Sequence, residues 1–284
     1  MLTPSRKAEI YLLFMTLIWG VTFPLVKTSL NYASPFVFLT LRFTLGALIV
    51  GLFFYKNISL KDKEVIKAGI LIGVFLFLGY AFQTMGLKVT AASKSAFITG
   101  LFVIMVPPLS YLILKEKPRI FSLMGLVLAI CGLYLMTRPK GSELNLGDLL
   151  TFFCAISFSI QVILVQIYTK KLDFFSLTFI QILVTTFLCV PSMFIFDRIK
   201  LIYHPSLLLG ILVCAIFATA LAIFIQNRMQ KDTTAVKASL IYAMEPVFAA
   251  FFSFLLLGEI LGWLGILGGA LILCGMLSSE LGQR

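Results

Sequence analysis

Glu245 is the only carboxylate in a long apolar segment, whose sequence from residue 239 to 257 is SLIYAMEPVFAAFFSFLLL. Insertion scales put the cost of a charged side chain at the centre of a membrane-spanning helix at about 2.5 to 3.5 kcal/mol. Such residues face the interior of a helix bundle or a water-filled cavity, where they bind solutes, ions or protons. We therefore predict that Glu245 lines a cavity and meets the amine of a solute or a proton.

A structural role is the alternative for Glu245, as a buried carboxylate paired with Arg42 or with amides of neighbouring helices. Arg42 lies inside another apolar segment, and its charge makes contact with lipid too costly. We expect Arg42 to have a structural partner in a neighbouring helix, Glu245 included.

Three prolines are expected to disturb membrane helices near this candidate site. Pro246 has no N–H to donate to the carbonyl of Tyr242, so that oxygen is left free if the helix continues. A free carbonyl is tolerated at membrane depth only where it faces protein or a water-filled cavity. Pro107 and Pro108 predict kinks in the same way, although bends without solute contact explain them equally well. We assign Tyr242 to the solute site and the three prolines to structural roles.

Aromatic and amide side chains on other apolar segments complete the candidate solute site. Flat aromatic walls with a few amides suit an amphipathic solute, although packing or lipid contact also explains an aromatic stripe. The members of this set outside the Glu245 segment are Trp19, Phe23, Tyr80, Gln83, Gln161 and Gln226.

Two lysines begin the fourth and the ninth apolar segments and are candidates for gates. If the segments cross the membrane in turn, Lys94 lies near one surface and Lys237 near the other. The alternative is an ordinary helix-end lysine, whose ammonium group reaches back to the water at the membrane surface. Glu116 and Glu259 end the same two segments, and we interpret them as structural turn residues.

The composition indicates an all-α polytopic membrane protein. Hydrophobic residues make up 60% of the 284, charged residues make up only 12%, and the mean hydropathy is +1.05. A soluble domain averages about 25% charged residues. Because a helix needs about 20 apolar residues to cross a bilayer, we predict ten transmembrane helices. Their approximate ranges are 8–30, 35–54, 65–87, 93–114, 119–136, 148–168, 174–196, 206–228, 235–257 and 263–281.

The basic residues are distributed unevenly between the two predicted membrane faces. Of the 23 Lys and Arg residues, 15 lie on the face that carries both termini, seven on the other, and Arg42 is inside a span. Because cytoplasmic loops carry the excess of Lys and Arg, we predict cytoplasmic termini and a multi-pass protein of the plasma membrane, the inner membrane in a bacterium. The net charge of +11 therefore does not indicate a nucleic-acid partner.

Motifs for metal, ATP or redox chemistry are lacking in this sequence. His204 is the single histidine, no HExxH or P-loop pattern occurs, and the five cysteines lie in apolar segments without CxxC spacing. We expect no cofactor, no metal and no enzymatic activity. A membrane-embedded lipid-modifying enzyme is the less favoured alternative.

The chain contains an internal repeat. A shift of 143 residues aligns 83–132 with 226–275 without a gap, and a weaker match at a shift of 139 places Glu9 on Asp148. Because each repeat would contain five spans, an odd number, the second must be inverted relative to the first, as in many secondary transporters. We place the first repeat at 1–140 and the second at 141–284. The aligned polar pairs include Gln83 with Gln226, Lys88 with Lys231, Lys94 with Lys237 and Glu116 with Glu259.

Several segments taken in order resemble the EamA family of the drug/metabolite transporter superfamily. They are LIWGVTFPLVK, LRF, SAFITGL, MEPVFAAFFSFLLLGE and GILGGALILCGM. The resemblance implies ten helices, cytoplasmic termini, an inverted repeat, and export or exchange of small metabolites, amino acids among them. The two halves are not chemically equivalent, since Phe102 stands where the second half has Glu245.

We predict a secondary transporter for small polar or amphipathic metabolites, such as amino acids or related compounds, that exports them by alternating access. Its partners are then a small-molecule solute and the lipid bilayer, and the chain acts as a monomer or a homodimer. A sugar-phosphate or nucleotide-sugar exchanger is the alternative within the same class. That exchanger would need several basic residues converging on one cavity to hold phosphate, whereas the deep residue here is acidic.

Overall fold

The computed structural model describes residues 3–115, 120–137, 145–260 and 262–281. Within these ranges every regular element is a helix, and the only strand-like pairing is an isolated bridge between Ala33 and Leu201. Eight of the described helical segments are long and apolar enough to cross a membrane. The predicted all-helical, multi-pass fold is confirmed, while the count of ten spans and the inversion stay predictions. Five of the eight segments are single helices, α1 (Pro4–Ser29), α2 (Pro35–Phe54), α3 (Lys63–Val89), α7 (Leu146–Thr169) and α8 (Phe174–Phe196).

The other three crossing segments are interrupted. In the numbering of the ten spans predicted from the sequence, the fourth consists of α4 and α5, the eighth of α9, a π-helical turn and α10, and the ninth of α11 and α12. Two further apolar helices, α6 and α13, pack against each other. The bounds are α4 (Ala92–Gly100), α5 (Phe102–Leu114), α6 (Ile120–Thr137), α9 (Pro205–Val213), the π-helical turn (Cys214–Leu221), α10 (Ala222–Gln230), α11 (Ala235–Tyr242), α12 (Glu245–Leu257) and α13 (Trp263–Leu281).

Helix starts follow local sequence signals. Asn145 and Asp148 form a capping box at the start of α7, in which each side chain accepts a hydrogen bond from the backbone N–H of the other. The Asp173 side chain accepts from the N–H of Ser176 at 2.7 Å and so caps α8. Such caps satisfy backbone donors that have no partner inside the helix.

One end of the bundle, here called the Lys94 end, is held by contacts between loops. The N–H of Ser34 donates to the carbonyl of Lys200 at 3.0 Å, which ties the loop before α2 to the segment between α8 and α9. At the same end Glu259 accepts from the N–H groups of Ala92 at 3.2 Å and Ser93 at 3.1 Å, at the start of α4. The predicted structural role of Glu259 therefore corresponds to a helix cap, whereas Glu116 lies outside the described residues.

The opposite end, here called the Lys237 end, joins the beginning of α1 to the beginning of α11. Lys237 forms an ion pair with Glu9, five residues into α1. The N–H of Ser59, in the loop between α2 and α3, donates to the hydroxyl of Ser176 at 2.9 Å. Loops that follow one another along the chain thus alternate between the two ends.

The interruptions of the fourth and ninth segments occur at equivalent positions. Leu101 separates α4 from α5, and Ala243 with Met244 separates α11 from α12. A shift of 143 residues places Leu101 on Met244. Short turns bridge both breaks, with the N–H of Leu101 donating to the carbonyl of Ile98 at 3.1 Å and that of Met244 to Ile241 at 3.1 Å.

The structure corrects the predicted positions of the helix disturbances. Pro246 does not lie in the middle of a continuous helix but in the first turn of α12, where the missing N–H has no intrahelical partner to lose. α5 continues through Pro107 and Pro108, so the kinks expected there stay predictions, and the interruption of that segment lies at Leu101. Gly100, a weak helix former, ends α4 just before this break.

α1 packs closely against α12 beside Glu245. Gly20 makes this approach possible, because a Cβ atom there would overlap the Cβ of Phe248 and the backbone N of Ala249. Small residues at such contacts let membrane helices approach closely. The contact fixes the distance between Trp19 on α1 and Glu245 on α12.

Candidate functional site

A cavity lies between the two ends of the bundle. It is bounded by α1, α3, α5, α7, α10 and the break between α11 and α12. Seven of the eight predicted solute-binding residues line it, namely Trp19, Tyr80, Gln83, Gln161, Gln226, Tyr242 and Glu245. The residues that complete the lining are Thr22, Leu76, Phe102, Phe158 and Val162.

Glu245 faces this cavity as an isolated carboxylate. Its side chain is only 7% exposed, and no hydrogen bond or ion pair reaches it from the part of the chain that the structure describes. Because Glu245 begins α12, the partial positive charge of the helix N-terminus offsets some of the cost of burying a negative charge. Among the described residues no group of three His, Cys, Asp or Glu side chains is close enough to hold a metal ion.

The amides proposed as structural partners of Glu245 are engaged with each other. Gln161 donates to the side-chain oxygen of Gln226 at 3.2 Å, and Gln226 donates back to Gln161 at 3.2 Å. This reciprocal pair joins α7 to α10 on the cavity wall. It leaves each amide oxygen a further lone pair for a solute, because a side-chain amide oxygen has two acceptor sites.

Trp19 and Tyr242 form an aromatic corner beside Glu245. Their ring centroids are 5.7 Å apart in an edge-to-face arrangement, which aromatic rings prefer. The indole N–H of Trp19 donates to the carbonyl of Ala218 in the π-helical turn at 3.1 Å, and the Tyr242 hydroxyl donates to Gln230 at 3.1 Å. Both rings are therefore held in fixed orientations by hydrogen bonds that point away from the carboxylate.

A second aromatic wall is formed by Tyr80 and Phe158. Their centroids are 5.2 Å apart, again edge to face. Phe102, the repeat-equivalent of Glu245, lines the same cavity and lies 6.2 Å from the Tyr242 ring. Aromatic faces thus surround the single carboxylate on several sides.

Arg42 lies behind Tyr80 and is not part of the lining. Its Nε donates to the hydroxyl of Thr219 at 2.8 Å, and its guanidinium carbon is 4.3 Å from the centroid of the Tyr80 ring and 5.3 Å from that of Phe43. No ion pair with Glu245 forms. The expected partner in a neighbouring helix is thus a threonine hydroxyl, supplemented by two aromatic faces that attract the cation.

Lys94 is ion-paired at one end of the bundle. Its Nζ donates to Oδ2 of Asp148 at 2.7 Å, and Oδ1 of Asp148 accepts from the Thr90 hydroxyl at 2.7 Å. The two side chains are only 16% and 3% exposed. Such burial differs from a helix-end lysine that keeps its ammonium group in water.

Lys237 is ion-paired at the other end. Its partner Glu9 also accepts from the Ser5 hydroxyl at 2.9 Å, and the two charged side chains are 10% and 6% exposed. Each ion pair connects one repeat-equivalent lysine to the first helix of the opposite half. The two acids also occupy equivalent positions, since the shift of 139 residues places Glu9 on Asp148.

The structure does not bring Phe23 to the cavity. Phe23 is one turn beyond Trp19 on α1, but its ring is 1% exposed and is buried with Val26, Phe38 and Leu87. α1 crosses α12 near Gly20, so the face that meets the cavity at Trp19 meets the protein core one turn later. Phe158 was missed because nothing in its local sequence distinguishes it from the other phenylalanines of α7.

Comparisons with known proteins agree with this architecture. Residues 6–138 and 145–279 each match the profile of the EamA-like transporter family. A protein of Archaeoglobus fulgidus named "Uncharacterized transporter" is 36% identical over 270 residues, which cover 95% of this chain and 84% of that protein. "Uncharacterized transporter YoaV" of Bacillus subtilis is 28% identical over 286 residues, with 95% of both chains covered. A solved structure described as "Crystal structure of protein" has the same fold, with a TM-score of 0.78 at 19% identity and 97% of both chains covered.

Proposed function

Because the chain belongs to the EamA-like transporter family of the drug/metabolite transporter superfamily, we propose that it is a secondary transporter for small polar or amphipathic metabolites. We place amino acids or related compounds in this solute class, and export as the direction. The observation that carries the proposal is the cavity around Glu245, whose buried carboxylate has no partner among the described residues. A solute or a proton would supply the missing partner.

Alternating access requires that each end of the cavity opens while the other is closed. Lys94 with Asp148, and Lys237 with Glu9, connect the two halves at opposite ends. We propose that these two ion pairs are the gates and that they exchange states during transport. The proposal includes ten spans in two inverted repeats, 1–140 and 141–284, since an inversion places equivalent lysines at opposite ends.

The proposed orientation puts the Lys237 end in the cytoplasm. The excess of Lys and Arg lies in the loops of that end and at both termini. Solute would therefore enter from the Lys237 end and leave at the Lys94 end. The plasma membrane, the inner membrane in a bacterium, is the proposed location.

Exchange of sugar phosphates or nucleotide sugars is disfavoured by the lining of the cavity. No lysine, arginine or histidine is among its described lining residues, and the one acidic side chain there is Glu245. Phosphate recognition needs converging cationic side chains. An enzymatic role is disfavoured as well, because the cavity holds neither a nucleophile beside a base nor a group of metal ligands among the described residues.

Transport by purified protein in proteoliposomes tests the proposal. Efflux and uptake of a labelled panel of amino acids and amines would be measured with and without a pH gradient, in the wild type and in Glu245→Gln. We expect Glu245→Gln to abolish transport or its dependence on the pH gradient, because the variant keeps the shape and removes the charge. Normal transport with unchanged pH dependence in this variant would contradict the proposed role of the cavity.

A further inference from the structure

The charges around the cavity point to one class of solute. Of the twelve described lining residues, Glu245 alone has an acidic or basic side chain, and the remainder are aromatic, aliphatic, amide or hydroxyl side chains. We infer that, within the proposed transport site, the solute is a small amphipathic monocation, a protonated amine with an apolar or aromatic body and no carboxylate. This inference rests on the proposed function. It narrows the proposed class of solute from amino acids and related compounds to amines.

The buried carboxylate supplies the attraction for the ammonium group. An ionised group taken out of water is costly unless it is paired and hydrogen-bonded. Glu245 has no partner among the described residues, so an ammonium group beside it would complete an ion pair that the protein itself leaves open. The amide oxygens of Gln161 and Gln226 lie on the same wall and can accept its remaining N–H groups.

A solute carboxylate would find no such partner. No cationic side chain is among the described lining residues, and Arg42, whose guanidinium carbon is 4.3 Å from the centroid of the Tyr80 ring, does not line the cavity. The Nε of Arg42 donates to the Thr219 hydroxyl, whereas its buried Nη2 has no hydrogen-bond partner among the described residues. Lys94 and Lys237 are bound to acids at the two ends of the bundle. An amino acid would thus bury its carboxylate near Glu245 without a compensating cation.

The aromatic walls suit the rest of such a solute. Trp19, Tyr242, Phe102 and the Tyr80–Phe158 pair provide flat apolar surfaces, and the face of an aromatic ring attracts a cation. A single aromatic ring with a short aminoalkyl chain is therefore a suitable probe.

Trp19 provides a direct reporter of binding. The chain has two tryptophans, and the other, Trp263, is 73% exposed on α13. In a Trp263→Phe background the tryptophan fluorescence of the chain, excited selectively over its nine tyrosines, comes from Trp19 alone. Four matched probes would be titrated into this variant in nanodiscs, namely phenethylamine, phenylalanine methyl ester, phenylalanine and 3-phenylpropionate, which share the ring and differ in charge.

We expect phenethylamine and the methyl ester to bind at least about tenfold more tightly than phenylalanine and 3-phenylpropionate, because only the cations pair with Glu245 without burying a second charge. Glu245→Gln should remove the preference. Glu64→Gln is the matched control, since it removes a carboxylate that is 72% exposed on the surface and should keep the preference.

An amine that binds no more tightly than phenylalanine overturns the inference, as does a preference for amines that survives Glu245→Gln. These results are distinguishable from failure of the proposed function. If phenylalanine is transported in proteoliposomes and this transport needs Glu245, the transporter proposal stands and only the amine class is wrong. If no probe binds and no member of the wider panel is transported, both fail.

Discussion

Lys94, at the start of the fourth helical segment, donates to Asp148 of the opposite half over 2.7 Å. Asp148 is at the same time the acidic member of the capping box that begins α7. The ion pair and the helix cap therefore share one carboxylate, so that release of the lysine leaves Asp148 with other hydrogen-bond donors. Glu9 is in a comparable position at the other end, since the Ser5 hydroxyl also donates to it.

Exchange of the charges in the Lys237–Glu9 pair should show whether the pair is needed for transport. Glu9→Lys alone places two like charges in a buried site, and we expect transport to fall by about tenfold or more. The double variant Glu9→Lys with Lys237→Glu restores opposite charges and should recover much of the rate. Uptake in proteoliposomes measures both, and a double variant no better than the single one argues against the pair.

Accessibility separates a gate from a static ion pair. In a background without the five native cysteines, Lys94→Cys should react with impermeant reagents from one side only, and Lys237→Cys from the other side only. Addition or removal of saturating substrate should raise the reactivity of one of these cysteines and lower that of the other. The reason is that an open gate exposes the cysteine at its own end of the cavity while the other gate is closed. Reactivities that stay constant in every condition that permits transport would assign the lysines a structural role.

Stability measurements on Glu245→Gln distinguish the solute-binding role from a structural ion pair. Because no partner among the described residues loses an ion pair, we expect this variant to insert and fold normally, with stability equal to or slightly above that of the wild type. Thermal unfolding in detergent would be compared for Glu245→Gln, Arg42→Gln and the double variant. A structural ion pair between Glu245 and Arg42 predicts a different result. Glu245→Gln would then lower the free energy of unfolding by roughly 3 to 5 kcal/mol, and adding Arg42→Gln would restore part of it.

Substitution of Gly20 tests the packing that positions the site. Gly20→Ala forces α1 away from Phe248 and the α12 backbone. Overpacking of this kind lowers the free energy of unfolding by about 1 to 3 kcal/mol. We expect a lower melting temperature together with weaker solute binding, since Trp19 and Glu245 would separate. Gly262→Ala is the control, because a Cβ atom at Gly262 meets nothing within 4 Å. Equal effects of the two changes would show that the α1–α12 contact is not tightly packed.

The membrane orientation can be read from two exposed loop positions. Leu60, between α2 and α3, is 53% exposed, and Tyr203, between α8 and α9, is 81% exposed. We expect Leu60→Cys to be labelled only from the cytoplasm and Tyr203→Cys only from outside. Labelling of both positions from the same side would rule out the proposed arrangement of ten spans.

Hydropathy alone located most of the helices to within a few residues. The segment predicted at 35–54 is α2, and that predicted at 174–196 is α8, with the same limits. These boundaries are marked by prolines, acids and polar loops, which are local signals. The breaks at Leu101 and Met244 are marked only by Gly100 on one side and by Glu245 and Pro246 on the other, inside segments whose hydropathy predicts single continuous helices.

The sequence predicts which residue types line the site better than it predicts which side chains contact one another. Glu245 stood out because a charge in apolar sequence is rare, whereas Phe158 resembles every other phenylalanine of the chain. Which acid pairs with Lys94 depends on the packing of α4 against α7, more than 50 residues apart in the chain. Phe23 was assigned to the cavity by its spacing from Trp19, and only the crossing of α1 over α12 shows where that face enters the core.

The π-helical turn Cys214–Leu221 sets the rotational phase of α10. A π turn holds about one residue more than an α turn, and each helical residue advances the chain by about 100° around the axis. Deleting a single residue here would rotate α10 by about that angle relative to α9, so that Gln226 would turn away from Gln161. The specificity of the cavity is thus encoded partly in the number of residues of a segment that contributes none of its lining side chains.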